Sequence, residues 1–389
     1  MAFDPVFSTL PDTIFDVMSG LARTHGAINL GQGFPDGQGP EALRRAAGRA
    51  LMEGSNQYPP MRGLPALRAA VADHYARHQG LSLTPDDVLV TSGATEALAA
   101  AFLALLAPGN EVIVLDPAYD AYRPLIARAG GVARAVALSP PHWRLDAGVI
   151  AAAVTSRTRA IVFNDPLNPV GRAFDAGEVA ALAQLCRAHD RIAICDEVWE
   201  HIVFDGRTHH PLMAEPGMAE RCVKIGSAGK IFSMTGWKVG FVMAAPALMG
   251  PIVRAHQFLT FTTPPHLQAA VAEGLGWPDA WFADMRAGFA ASRDRMATGL
   301  EAAGFAVLPS EGTYFLCIDL AASGVSLDPM DFCRRAVTAF GVAAIPLAPF
   351  YADPGAAPPI IRLCFAKADA TIDAGVERLA EARRVLAAR

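Results

Sequence analysis

Six short apolar runs, nearly continuous rather than alternating, constrain this chain more than any other feature of its sequence. They are Val88–Thr91, Glu111–Leu115, Ala160–Phe163, Arg191–Cys195, Cys222–Ile225 and Phe241–Ala244. A strand that is apolar along its whole length is covered on both faces. Helical patterns such as Glu96–Leu106 and Ala176–Ala188 lie between the runs. Strand and helix in alternation predict an α/β fold with a mostly parallel sheet between helices. From about Pro264 the pattern is mostly helical through Gly304. Strand-like segments follow near Tyr314–Ile318, Val342–Ile345 and Ile360–Phe365, then a terminal helix. A chain of 389 residues predicts two domains. No Ser/Gly linker, repeat or low-complexity segment divides them, so they are expected to share long elements.

Charge and composition remove several classes of function. The net charge is −5, with no run of like charges and no basic stripe, which argues against nucleic acid. The longest apolar run, Ala97–Ala107, is too short to span a bilayer, so no membrane partner is expected. The first residues, MAFDPVFSTLPD, lack a basic leader region, so no signal peptide is expected. Six dispersed cysteines read as buried free thiols of a cytoplasmic protein. His74 and His78 form an HxxxH pair without the glutamate of HExxH; they read as a polar helix face, and no metal is expected.

Ligands of an open parallel sheet sit beyond the carboxyl ends of its strands. Four such ends carry unusual residues. Thr91 runs into Ser92-Gly93-Ala94-Thr95 and a helix, which reads either as an N-cap turn or as an anion seat. It is not GxGxxG, which disfavours a dinucleotide fold. Asn164 and Asn168 stand in FNDPLNPVGR, either turn formers or amides aimed at a ligand. The run ending at Cys195 meets two acids, Asp196 and Glu197; one of them caps the next helix or meets a cation, since isolated buried charge is costly. The last end is SAGKIFSMTGWKVG, Ser227–Gly240, which holds Lys230 and Lys238. Only four residues of the chain are lysine, the others being Lys224 and Lys367, against 29 arginines. A primary amine deprotonates and condenses with an aldehyde, as a guanidinium does not. An anion seat, an amide, a carboxylate and an amine are together what pyridoxal 5′-phosphate requires.

With these motifs the sequence resembles a class I/II aminotransferase of pyridoxal-phosphate fold type I, from about Ile28 to the terminal helix. The resemblance rests on Ser227–Gly240, on 164-NDPLNPVG-171 and on the acidic DEVWE motif. NLGQGFPD (29–36), SGATEAL (92–98), GTYFL (312–316), GVAAIP (341–346) and IRLCFAK (361–367) resemble the kynurenine, glutamine and methionine aminotransferase branch. N-succinyldiaminopimelate aminotransferases share the GFPD loop and NQYPP at Asn56–Pro60. The resemblance implies a seven-stranded large domain, 46–289, and a smaller α+β domain of 1–45 and 290–389.

It also implies roles. Lys230 would condense with the cofactor aldehyde and then move the Cα proton. Asp196 would pair with the ring nitrogen and Asn168 with the phenolic oxygen. Gly93, Ala94, Thr95, Ser227 and Lys238 would hold the phosphate, and Tyr119 would stack on the ring. Tyr58 would reach the phosphate in a neighbouring subunit, implying a homodimer. Arg362 would clamp the substrate carboxylate, helped by the Gly33 backbone and by Asn168. An Arg inside the apolar run PPIIRLCF independently calls for a partner or ligand. One position departs from the family: Trp199 stands where Tyr is usual, so its hydrogen bond to the cofactor is expected to change in character. The expected reaction is ping-pong transfer of an amino group to a 2-oxo acid. Tyr119, Phe261, Tyr314, Phe350 and Tyr351 read either as core or as an apolar, aromatic wall that would suit methionine, glutamine, aromatic or kynurenine-like donors. The alternatives are a succinylated diaminopimelate donor, or β-lyase action on cysteine conjugates.

Overall fold

A computed structural model of the chain describes residues 4–387. The six expected strands form, and a seventh joins them: β1 (Val88–Thr91), β2 (Glu111–Asp116), β3 (Val132–Ala137), β4 (Thr158–Asn164), β5 (Ile192–Asp196), β6 (Cys222–Ser227) and β7 (Gly240–Ala244). Their order in the sheet is β1-β7-β6-β5-β4-β2-β3. Strands β2 to β6 pair in parallel. Strand β7 is antiparallel to both its neighbours, β1 and β6. Every residue of β1, β2, β5, β6 and β7 is buried, as their continuous apolar character predicts. The sequence reading missed β3, VARAVA. It is an edge strand with one neighbour and mostly exposed positions, so it needs no continuous apolar run.

Because β7 runs against its neighbours, its first residue lies at the same sheet edge as the last residues of the other strands. One edge therefore gathers Gly93, Asp116, Asn164, Asp196, Ser227 and Gly240. The apolar stretch 97–107 lies mainly in the helix Ala94–Leu105, whose Ala97, Leu98, Ala100, Ala101 and Phe102 pack into the core. Among the described residues no helix is long and apolar enough to cross a membrane.

The C-terminal third builds a second, four-stranded sheet. Phe315–Asp319 pairs antiparallel with Ile360–Cys364, setting Cys317 opposite Arg362. Ala306–Val307 and Ile345–Pro346 complete it. Ile28–Asn29 pairs in parallel with Val342–Ala343, so the N-terminal segment belongs with this end of the chain. The helix Asp279–Ala302 runs unbroken through position 290. The helix Glu41–Glu53 likewise runs through position 46. On the two-domain division we propose, rigid helices make both crossings.

The HxxxH pair does not form a polar face. His74 is buried, its Nδ1 3.1 Å from the Leu275 carbonyl and its Nε2 2.8 Å from His201 Nε2. Burial drives its pKa down to about 3, so this histidine is a neutral core residue.

Candidate active site

A cavity of about 230 Å³ opens at the strand edge just described. Gly93, Ala94, Thr95, Tyr119, Asn168, Asp196, Trp199, Ser227, Lys230 and Lys238 all line it. Leu98, Val198, Gly229 and Thr235 complete the wall.

One end of the cavity is built for an anion. Gly93 stands at the N-cap of the helix Ala94–Leu105 with φ +84° and no side-chain cap. The helix thus presents uncapped N–H groups and the positive end of its dipole. Lys238 closes the seat from β7's side and holds a left-handed backbone, φ +53°. A Cβ on Gly93 would lie 3.1 Å from Lys238 Cε and 3.2 Å from Nζ, so glycine is what lets the lysine in. Gly240 is as constrained: a Cβ there would lie 2.6 Å from the Gly93 carbonyl carbon.

The opposite wall carries the carboxylate. Asp196 ends β5, buried, and its Oδ2 accepts from Tyr122 Oη at 2.5 Å. Its Oδ1 is buried without a hydrogen-bond partner among the described residues. Burial raises the Asp196 pKa. A buried carboxylate with one free oxygen is completed by an N–H or a cation. Asn164 fixes the turn beside it: Nδ2 donates to the Asp196 carbonyl at 2.7 Å, and Oδ1 accepts from the Asn168 N–H at 2.8 Å.

Lys230 stands between. It lies in the one-turn helix Ala228–Ile231 that follows β6. Its Nζ donates to Tyr314 Oη at 3.3 Å and lies 4.5 Å from the centre of the Trp199 ring. Burial lowers its pKa to about 8, with Asp196 pulling the other way. An amine in this range is partly neutral near physiological pH and serves as nucleophile or base.

The carboxylate-binding candidates sit one layer away. Arg362 is buried and does not line the cavity, but Nη1 donates to Asn168 Oδ1 at 3.0 Å and Nη2 to the Gly31 carbonyl at 3.1 Å. Its guanidinium lies 3.9 Å from the Phe315 ring centre, 5.2 Å from Phe15 and 5.3 Å from Phe350. No carboxylate pairs with it among the described residues, and burial lowers its pKa to about 10. The Gly33 carbonyl accepts from Tyr314 Oη at 2.6 Å, which ties this loop to Lys230. A Cβ at Gly33 would strike the Phe315 ring at 2.7 Å.

A model of the family "Aminotransferase class I and II" matches residues 25–379. The chain belongs to the class I and II aminotransferases. It is 44% identical over 379 residues to a probable N-succinyldiaminopimelate aminotransferase of Mycobacterium tuberculosis, covering 94% of this chain and 95% of that one. It is 43% identical over 371 residues to the methionine aminotransferase of Escherichia coli, covering 95% and 96%. The solved structure of N-succinyldiaminopimelate aminotransferase from Mycobacterium tuberculosis superposes with a TM-score of 0.94 at 44% identity, over 98% of this chain and all of that one. The protein is therefore an enzyme of the pyridoxal-phosphate-dependent aminotransferase type.

Within this aminotransferase, ten of the expected residues share one cavity, Gly33 and Arg362 attach to it through Tyr314 and Asn168, and Tyr58 stands apart. Tyr58 is 82% exposed, its ring edge-on to Phe261 at 5.3 Å. Phe258 nearby in sequence is 85% exposed. Sequence reading misses Tyr122, which stands three residues after Tyr119. It took Tyr314 as a wall residue rather than as a partner of Lys230. Gly240 was only the last letter of a motif.

Proposed function

We propose that this aminotransferase holds pyridoxal 5′-phosphate in the 230 Å³ cavity and uses Lys230 as its reacting amine. The observation that carries this reading is the convergence in one cavity of Lys230, the half-satisfied Asp196 carboxylate and the uncapped helix N-terminus beside Lys238. The donor set fits the group. Asp196 Oδ1 would take the ring N–H, and Tyr122 would hold the carboxylate in place. Gly93, Ala94, Thr95, Ser227 and Lys238 would take the phosphate, Asn168 the phenolic oxygen, and Tyr119 a ring face. When bound, pyridoxal phosphate supplies an aldehyde that condenses with amines and a ring that accepts the electron pair left at the substrate Cα.

The chain's own residues do the rest. Arg362 would bind the α-carboxylate through its planar fork, beside the Gly33 loop. Lys230, with its pKa near 8, would take the Cα proton and return it at the other reacting carbon. Tyr314 would hold the Lys230 amine toward that path. Tyr58 and Phe261, exposed on one surface, support a homodimer in which Tyr58 serves the second subunit's cavity. Six buried free thiols support a cytoplasmic location.

For the donor we propose an L-amino acid with an apolar side chain, methionine or an aromatic residue. Three phenyl rings surround Arg362. A second cavity, of about 470 Å³ and including Phe350, is lined by the apolar Val6, Leu10 and Ile14 and by the acids Asp12 and Asp120, and its one basic residue among those described, Arg123, pairs with Asp116. Among the described residues that leaves no unpaired cation there for the extra carboxylate of a succinylated diamino acid. The test follows the visible spectrum of the loaded enzyme as each amino acid is added without acceptor. Methionine and aromatic donors should react fastest. A faster reaction with the succinylated diamino acid overturns the donor assignment. Pyruvate and ammonia from a cysteine conjugate would indicate β-lyase action instead.

A further inference from the structure

The buried charges behind Asp196 have no part in the reaction just described. Asp196 ends β5, Glu197 and Glu200 come one and four residues later, and all three are buried. Lys224, one of the chain's four lysines, faces them from β6, where it stands opposite Cys195. Its side chain is fully buried, and Nζ donates to Glu197 Oε2 and, at 2.9 Å, to Glu200 Oε2. Glu200 Oε1 accepts from Tyr75 Oη at 2.5 Å, and Glu197 Oε1 from the Leu212 N–H at 3.3 Å. His209 Nε2 lies 3.4 Å from Asp165 Oδ2 and 3.6 Å from Glu197 Oε2, and burial drives the His209 pKa down and the Asp165 pKa up, each toward the uncharged form. On the cavity side Asp196 faces Tyr122 and Lys230. Glu197 and Glu200 thus share the one Lys224 ammonium.

We propose that Lys224, through Glu197 and Glu200, is a positioning residue for Asp196: it pins the strand end that carries this carboxylate and offsets one of the two negative charges packed behind it. The inference rests on the cofactor reading above. Asp196 can hold a protonated ring nitrogen only while ionised, and charge packed behind it opposes ionisation. Burial raises its pKa, and Glu200 pushes in the same direction. Without Lys224, two uncompensated carboxylates would press Asp196 to take up a proton, and its preference for an N–H donor would fall. The ammonium meets two carboxylates at once, and the tyrosine hydroxyl holds the second of these. This is a fully partnered arrangement, the form in which a buried ion cluster is tolerated.

The test compares two ligands of the apoprotein by quenching of tryptophan fluorescence: pyridoxal phosphate, and its analogue with C–H in place of the ring nitrogen. Wild type should favour the nitrogen compound about 10- to 100-fold, the range of one charge-assisted hydrogen bond. Lys224→Met should bring that ratio within about threefold of unity. Lys224→Met with Glu200→Gln, which restores the charge balance, should recover most of it. Equal weakening of both ligands in Lys224→Met, or no recovery in the double variant, would mean a merely structural role and overturn the proposal. Should Lys224→Met fail to fold, Glu200→Gln alone decides: the ratio rises several-fold if charge behind Asp196 matters and stays fixed if it does not. Wild-type apoprotein that binds neither ligand would overturn the cofactor reading itself, a result separate from an unchanged ratio.

Discussion

Lys230 and Gly33 are joined through one hydroxyl: Lys230 Nζ donates to Tyr314 Oη at 3.3 Å, and Tyr314 Oη donates to the Gly33 carbonyl at 2.6 Å. The reacting amine and the loop beside the substrate carboxylate thus share a tether. Tyr314→Phe keeps the ring against Trp199, 4.4 Å away edge-on, and removes only the hydroxyl. A net hydrogen bond contributes about 1 kcal/mol, or roughly fivefold. KM for the amino acid should rise by about that factor, and more than kcat falls. An unchanged KM in steady-state kinetics would disconnect the loop from the amine.

Arg362 and its surroundings allow a binding role to be separated from a structural one. It makes no ion pair with a carboxylate among the described residues, so its removal strands two neutral acceptors, Asn168 Oδ1 and the Gly31 carbonyl. Arg362→Met should lower kcat/KM for donor and acceptor by about 10- to 100-fold, as expected on losing a charge-assisted, forked contact. Urea unfolding should show a loss of no more than about 1 kcal/mol. A large loss of stability with intact KM would make Arg362 a structural cation.

The anion seat depends on two glycines. At Gly93 an added Cβ meets the flexible end of Lys238, in a backbone already left-handed. At Gly240 it meets backbone, the Gly93 carbonyl carbon at 2.6 Å and the Ala94 nitrogen at 2.9 Å. Gly240→Ala must therefore push the helix N-terminus aside, at a cost of about 1–3 kcal/mol. Titration calorimetry of the apoprotein with pyridoxal phosphate should show a loss of about tenfold or more in Gly240→Ala. Retained affinity would remove the helix terminus from the site.

Much of this was legible in the sequence, and what was not has physical causes. A covered strand writes itself as a continuous apolar run, so six strands, and the residues at their ends that share one cavity, are legible directly. Strand β3 pairs on one side only and keeps alanines and an arginine, so it leaves no such trace. Tyr122 reaches Asp196 across 74 residues. Tyr314 reaches Lys230 across 84. Lys224 meets two glutamates 24 and 27 residues away. Such contacts are made by the register of strands and the packing of layers, and spacing along the chain does not encode them. The scarcity of lysine singles out Lys224 as much as Lys230.

Trp199 packs against the residues around the reacting amine. Its ring lies edge-on to Tyr314 and Phe315, and the Lys230 ammonium sits 4.5 Å from its centre. An indole face attracts a cation more strongly than a phenol face, by a fraction of about 1 kcal/mol. Trp199→Tyr should therefore shift the pH midpoint of the visible absorption band in the loaded enzyme while leaving the fold intact. Superimposable titration curves would exclude any tuning by this residue.

Burial of Lys230 also makes a prediction about stability in the apoprotein. Its pKa falls from the ordinary 10.5 to about 8 in the folded chain, with burial as the main cause. Between these values the unfolded chain binds more protons than the folded one, so this group makes stability rise with pH across that window. Below pH 8 both states carry the charge, and the folded state bears the full penalty, about 3 kcal/mol. Above pH 10.5 both are neutral and the penalty is gone. Lys230→Met should therefore stabilise the apoprotein by up to about 3 kcal/mol at pH 7. The gain should shrink steadily between pH 8 and 10.5. The difference between the two proteins in urea unfolding at several pH values isolates this group from others that titrate in the same range. A gain independent of pH would mean that the variant acts through packing, and that the amine of wild type is not held near neutrality by its surroundings.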